Sequence, residues 1–362
     1  MQVEKVLRDG IEDGTQIGAQ IYVSHHGEPV VEVALGQSRI GVPMTRDSMM
    51  TWFSMTKAVT SVAVAQQWEK GALDIEAPVA RYIPEFGLHG KDAVTLRHLL
   101  THTAGIPTAD GILEGTPWRE SSADNLARIY AAPLDYEPGT RAGYHAAAGM
   151  TVLGEIVARV SGTPYSEYVR QHIFLPLGMI DCWVGMPEAR YAEYGDRIGI
   201  MHNTEGDEPT PVRGIDSPRA TATAMPGGNG RGPMHQLARM YEHLDELLSP
   251  VTIAAISARH RTEMDDETFG IVQDWGLGLA IDTYAMGRHC SRRAFGHGGH
   301  QSSVAFRDPD HEVVVAVVCN GMPGRDRHSA RLDAIASAAC VDLGLAKPDD
   351  AGRTKPYPRK GL

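Results

Sequence analysis

Ser54 and Lys57 stand three residues apart in Trp52-Phe53-Ser54-Met55-Thr56-Lys57, just ahead of the run Ala58-Val59-Thr60-Ser61-Val62-Ala63-Val64-Ala65. On a helix, residues at this spacing share a face. A hydroxyl and an amine side by side at the positive end of a helix dipole can activate a serine: the amine takes the proton and the helix end favours the anion. Ser54 is expected to open this helix and to cap its free N–H groups. Taken alone, Ser-x-x-Lys recurs by chance, and its ordinary meaning is a capping serine followed by a solvated lysine. Here Ala58, Val59, Val62, Ala63 and Val64 make the helix apolar, as in a buried element. A lysine on such a helix needs a partner or a shifted pKa.

Two further stretches carry chemistry. Glu137-Pro138-Gly139-Thr140-Arg141-Ala142-Gly143-Tyr144-His145-Ala146 uses a proline-glycine turn to deliver Tyr144 just before a helix. Phe295-Gly296-His297-Gly298-Gly299-His300 leads to the Ser303 strand, with glycines that let a substrate approach the backbone. Each also has a plain reading, a tyrosine filling a core gap and a flexible turn before a strand.

The elements that must position these residues are legible in the hydrophobic period. An amphipathic helix opens the chain, with Val3, Val6, Leu7 and Ile11 on one side. Residues 19–24 and 30–35 read as a hairpin turning at His25-His26-Gly27-Glu28, and paired histidines in such a turn are ordinarily solvated. The Ser54 helix runs to about Lys70, with Gly71 ending it. From about Ala77 to Leu177 strand patterns are nearly absent, and helices are expected at 95–105, 146–160 and 164–174. Residues 201–233 form a long loop rich in Gly, Pro, Thr and acids, of the kind that serves as a lid or substrate wall. A helix follows at 235–248, then strands at 276–281, 303–306 and 313–318, and a helix at 331–343 that would pack with the first helix on the sheet. The expected fold is α/β of the α+β type: an antiparallel sheet flanked by the terminal helices, with an inserted mostly helical lobe. Its sheet domain would comprise 1–80 and 268–346, the lobe 81–267, and a frayed tail 347–362.

The chain has 362 residues, 42% of them hydrophobic, enough for a large core. Its formal net charge of −11 with scattered basic residues gives no footprint for nucleic acid. No apolar run is long enough to cross a membrane. The start lacks an apolar signal core. Cys182, Cys290, Cys319 and Cys340 are widely spaced and read as reduced packing thiols. The expectation is a cytoplasmic protein.

Taken together, the motifs resemble the serine β-lactamase superfamily: class C β-lactamases, D-amino-acid peptidases and amidases, family VIII carboxylesterases and related acyltransferases. The resemblance rests on Ser54-Met55-Thr56-Lys57, Leu99-Leu100-Thr101-His102-Thr103-Ala104-Gly105, Glu137-Pro138-Gly139-Thr140 with Tyr144, Leu153-Gly154-Glu155-Ile156, Ile173-Phe174-Leu175-Pro176-Leu177-Gly178-Met179 and Gly296-His297-Gly298-Gly299, in that order over most of the chain. It implies that Ser54 is the nucleophile. Lys57 would hold a hydrogen bond to it and supply positive charge. Tyr144 would be general base and then acid, its phenol pKa lowered by Lys57. The backbone N–H groups of Ser54 and His300 would form the oxyanion hole. His297, Gly298, Gly299 and His145 would lie on the substrate side, in a cleft between the lobes.

Two departures bear on the activity. Ala146 stands where many members carry an Asn that contacts the substrate amide, which weakens a β-lactamase reading. His297 stands where β-lactamases place Lys, as in peptidase- and esterase-like branches, and could titrate near pH ~6.5; activity is then expected to fall as it changes charge. His102 reads as a hydrogen-bonded scaffold residue. His297 and His300 are an odd offset apart, on opposite strand faces, so no metal is expected, and no cofactor. The expected reaction is acyl transfer from a small-molecule ester or amide, to water in an esterase or amidase, or to an amine or alcohol in an acyltransferase of natural-product biosynthesis. A non-catalytic, penicillin-binding-like ligand sensor is the alternative from another class.

Overall fold

The structure is a computed structural model and describes residues 1–107, 122–212 and 214–356. Part of the expected lobe (108–121), Arg213 of the expected loop and the end of the expected tail (357–362) lie outside the described residues.

The strands in chain order are β1 (Gly18–His25), β2 (Glu28–Arg39), β3 (Val42–Pro43), β4 (Met50–Phe53), β5 (His202–Asn203), β6 (Thr210–Pro211), β7 (Gly230–Gly232), β8 (Asp265–Asp266), β9 (Ile271–Val272), β10 (Ala280–Ile281), β11 (Phe295–Gly299), β12 (Ser303–Asp308), β13 (Val313–Cys319) and β14 (Gly321–Met322). Seven of them form one antiparallel sheet in the order β10-β11-β12-β13-β1-β2-β3. The β1–β2 hairpin is therefore not an edge. β1 pairs on its other side with β13, Ala19 opposite Cys319 and His25 opposite Val313.

Strand β13 explains its own sequence. Val313, Val315, Val317 and Cys319 face a core shared with Val3, Leu7, Leu332 and Ile335 of the terminal helices. Val314, Ala316 and Val318 face the other core, with Trp52, Val59 and Val62. A strand buried on both faces has no polar side to show, so its apolar run does not alternate. On the first face the Gln2–Glu12 helix lies beside the Arg325–Asp342 helix, and the Asp342 carboxylate accepts the amides of Gln2 (2.8 Å) and Val3 (2.9 Å). That carboxylate sits at the positive end of the first helix. The last helix begins at Arg325, earlier than the expected 331.

On the second face lies the Thr56–Glu69 helix, buried at every position from Thr56 to Gln67. An all-round buried helix accounts for its unbroken apolar sequence. Among the described residues no strand occurs between β4 and β5. The helices there include Leu96–Leu100 and Ala148–Ser161, and Tyr165–Val169 passes into a π turn over Arg170–Phe174.

Three expectations are corrected. The strand expected at 276–281 shrinks to β10, because Gly278 takes a left-handed φ of 78° and the amides of Leu277 and Gly278 go to Ile256 and Leu100 carbonyls instead of a neighbouring strand. The expected loop 201–233 contains β5, β6, β7 and the Pro218–Ala222 helix, and β7 pairs with β4. The described part of the tail is not frayed: Arg353 and Lys355 both bond Asp282, at 2.8 Å each. No helix among the described residues is long and apolar enough to cross a membrane.

Candidate active site

Strand β4 ends in a forced turn. Phe53 has φ 47°, a left-handed conformation that a bulky residue adopts only when its surroundings hold it there. Thr56 does much of that holding: its hydroxyl donates to the Phe53 carbonyl (2.6 Å) and accepts the Gly230 amide (2.8 Å). The helix starts at Thr56 with Met55 in the cap position and no side-chain cap. The expectation that Ser54 caps the helix is therefore corrected. Ser54 lies in the turn between strand and helix, and its carbonyl accepts the Lys57 amide at 3.0 Å. Its hydroxyl is left to the other side of the cleft.

There it meets both expected partners. Lys57 Nζ is 2.9 Å from Ser54 Oγ, and the Tyr144 hydroxyl is 2.8 Å from the same oxygen. Lys57 is 0% exposed, and burial pushes its amine down to about 7. Nζ also donates to the carbonyls of Ala146 and Gly227, each at 2.7 Å. Those two acceptors were not legible as such. The signal that could have found one is the run Pro226-Gly227-Gly228, since a Cβ on Gly227 would sit 3.1 Å from the Ala146 carbonyl oxygen.

Tyr144 lies in an aromatic slot between Phe269 (4.8 Å), His102 (4.7 Å) and Trp275 (5.8 Å, interplanar 29°). Trp275, in Trp275-Gly276-Leu277-Gly278, was also missed. Burial raises the Tyr144 phenol well above its ordinary range, and the hydrogen bond with Ser54 offsets only part of this. The expected lowering by Lys57 is reversed because desolvation outweighs everything else at a phenol this deeply enclosed.

The third stretch is a strand in its own right, β11, paired with β12 and followed by a turn at His300. It runs against β4. A Cβ on Gly299 would stand 2.5 Å from the Trp52 carbonyl oxygen and nearer still to Ser303 Oγ. This close approach brings His300, whose ring meets Phe53 edge-on at 5.9 Å, to the same turn as Ser54. Gly299→Ala is expected to push β11 off β4, lowering stability by about 1–3 kcal/mol and slowing covalent reaction at Ser54. Thermal unfolding and a labelling time course check it; an unchanged pair of values would contradict the packing.

His297, Gly298, Gly299 and His300 line a cavity of about 600 Å³ together with Ser54 and Tyr144. His297 is buried, and its imidazole is pushed down to about 3 by burial first and the Lys57 charge second. It stays neutral through pH 5 to 8, so the expected loss of activity on its titration in that range is corrected. His145 does not line the cavity. Its ring is 1% exposed and held near 4 by burial, and it turns toward His102 and Gly149. No group of three or more His, Cys, Asp or Glu among the described residues could hold a metal ion.

The match to known proteins decides the family. The Beta-lactamase family profile covers residues 3–339 of this chain. The chain belongs to the Beta-lactamase family. Within it, the chain is similar to Esterase EstB of Burkholderia gladioli, 30% identical over 67% of this chain and 63% of that protein. It is similar also to Acyltransferase calJ of Penicillium decumbens, 28% identical over 71% of this chain and 66% of that protein. The chain thus spans a little under two thirds of the length of these two relatives. Among solved structures, a penicillin-binding protein homologue from Caulobacter crescentus superposes with a TM-score of 0.77 at 27% identity, over 93% of this chain and 96% of that one. The Beta-lactamase family fold is therefore that of the antiparallel sheet and helices described above.

Proposed function

We propose that this chain is a serine acyl-enzyme catalyst acting on a small-molecule ester or amide. The observation that carries the reading is the convergence on Ser54 Oγ of the Lys57 amine (2.9 Å) and the Tyr144 hydroxyl (2.8 Å) at the wall of a cavity. Similarity to an esterase and an acyltransferase supports the same reading.

The two pKa directions divide the labour. A neutral lysine amine has two N–H donors and one lone pair. The Ala146 and Gly227 carbonyls take the two donors, which leaves the lone pair facing the Ser54 hydroxyl. Lys57, pushed down to about 7, is then the group that accepts the serine proton. Oγ attacks the carbonyl carbon, and the Ser54 and His300 amides stabilise the oxyanion. Tyr144, pushed up, enters the step as a phenol and gives its proton to the departing alkoxide or amine. The proton that Lys57 took from Ser54 then restores the phenol and leaves Lys57 neutral again. Water then discharges the acyl-enzyme in a hydrolase, and an amine or alcohol does so in a transacylase.

This predicts a single ascending limb in the pH profile of acylation. The active form is the neutral amine, so the rate rises as pH climbs through about 7 and levels above it. His297, neutral throughout, adds no second limb. The absence of a limb near 7 would count against the buried amine as the base.

The test of the reading is intact mass after incubation with a fluorophosphonate. One adduct on the wild type and none on Ser54→Ala supports it; no adduct on either favours the ligand sensor. An acyl-enzyme formed from an activated ester, then offered water or a panel of amines, separates the two fates: persistence in water with clearance by amine identifies a transacylase. Four buried free thiols suit a reducing compartment, and the cytoplasm is the compartment proposed.

A further inference from the structure

Three consecutive amides deliver Tyr144 to Ser54, and two of them end on one residue. The Gly143 amide donates to the His102 carbonyl (3.0 Å), and the His145 amide donates to His102 Nδ1 (3.2 Å). Between them the Tyr144 amide donates to Asp266 Oδ1 (3.2 Å), and the Tyr144 carbonyl accepts from Thr268 Oγ1 (3.2 Å). Every main-chain polar group from the Gly143 amide to the Tyr144 carbonyl, apart from the Gly143 carbonyl, is thereby tied to a residue outside the turn.

His102 is shaped for this task. It takes a left-handed φ of 57°, a strained choice that turns its carbonyl and its ring toward the same stretch of chain. Its ring is fully buried, 4.7 Å from the Tyr144 ring and 4.4 Å from the Trp275 ring. Nδ1 can accept the His145 amide only in the neutral tautomer protonated on Nε2. Burial, with His145, Arg261 and Lys57 nearby, holds the imidazole well below its usual range, consistent with that state. Asp266 is 0% exposed and fixed from behind by Arg261, whose guanidinium donates to Oδ2 at 2.9 Å, while Oδ1 also accepts the Thr268 amide at 3.0 Å.

We infer that His102 and Asp266 are positioning residues, a clamp that holds the Tyr144 hydroxyl on Ser54 without touching substrate. A space-filling histidine would need neither the strained backbone nor the accepting nitrogen. The inference rests on the proposed role of Tyr144, and the experiment separates the two.

The full chain is compared as wild type, Tyr144→Phe, His102→Asn, His102→Ala and the double variant His102→Ala with Tyr144→Phe, using ethyl acetate followed by pH-stat, an alkyl ester whose departing alkoxide needs a proton. Asparagine places Oδ1 where Nδ1 stood and tolerates a left-handed φ, so H102N is expected within about tenfold of wild type. H102A is expected to lose about 10²-fold in kcat, the size of effect that a misplacement near 1 Å produces, with KM changed little. Because the clamp works only through the phenol, the double variant should be no slower than Y144F. If H102A does not fold, His102→Gln, which keeps a polar side chain but carries its acceptor one bond too far, is expected to show the same loss. Wild-type rates in Y144F would remove the role of Tyr144 itself. With Y144F slow, additive losses in the double variant, or H102N as slow as H102A, would overturn the clamp.

Discussion

Ser54→Ala is expected to lower turnover of an activated ester by at least about 10⁴-fold, because removing a nucleophile leaves only binding and oxyanion stabilisation. The fold should barely register the change. Ser54 is half-buried in a turn, and its backbone hydrogen bond to Lys57 does not involve the hydroxyl. Loss of one hydrogen-bonded oxygen costs about 1 kcal/mol. Initial rates and a thermal midpoint on the same preparation check the pair. Activity within tenfold of wild type would place the chemistry on another group.

Lys57→Met should be nearly as severe, about 10³-fold or more in the acylation rate, since the proton acceptor is gone. It should also abolish the ascending limb near pH 7. Methionine fills similar space but leaves the Ala146 and Gly227 carbonyls without the donor they now share. Orphaned buried acceptors cost about 1–3 kcal/mol each, offset in part by no longer burying an amine. Lys57→Arg sharpens the test. Arginine supplies charge and donors but stays protonated at every accessible pH. If Lys57 acts by positive charge alone, arginine should recover part of the rate; if it acts as a base, arginine should be as slow as methionine. Single-turnover acylation between pH 5 and 9 distinguishes them.

What could be read from the sequence was whatever local pattern dictates. The hairpin at 19–35 and the strands at 303–306 and 313–318 lie where alternation or continuous valine put them. Ser54, Lys57 and Tyr144 were legible as a set because their motifs share an order, although no single one of them carried the argument. What escaped was whatever depends on tertiary surroundings. Whether a phenol is raised or lowered depends on how deeply Phe269, Trp275 and His102 enclose it, and none of them is near Tyr144 in sequence. The same holds for His297, whose neutrality comes from burial rather than from its neighbours in the chain. The Ser54 cap failed for a different reason: Phe53 takes a left-handed turn that hydrophobic period does not encode, so the helix begins two residues later.

The pairing of β1 with β13 joins residues 19–25 to residues 313–319. On a ribosome adding roughly 5–20 residues per second, the first hairpin waits on the order of 15–60 s for the partner that completes its sheet. Throughout that interval one side of β1 offers unpaired amides and carbonyls to any extended chain nearby. Contacts this distant in sequence also make for slow folding. The yield of native protein should therefore respond to translation speed and to chaperone supply more than to changes within the hairpin itself.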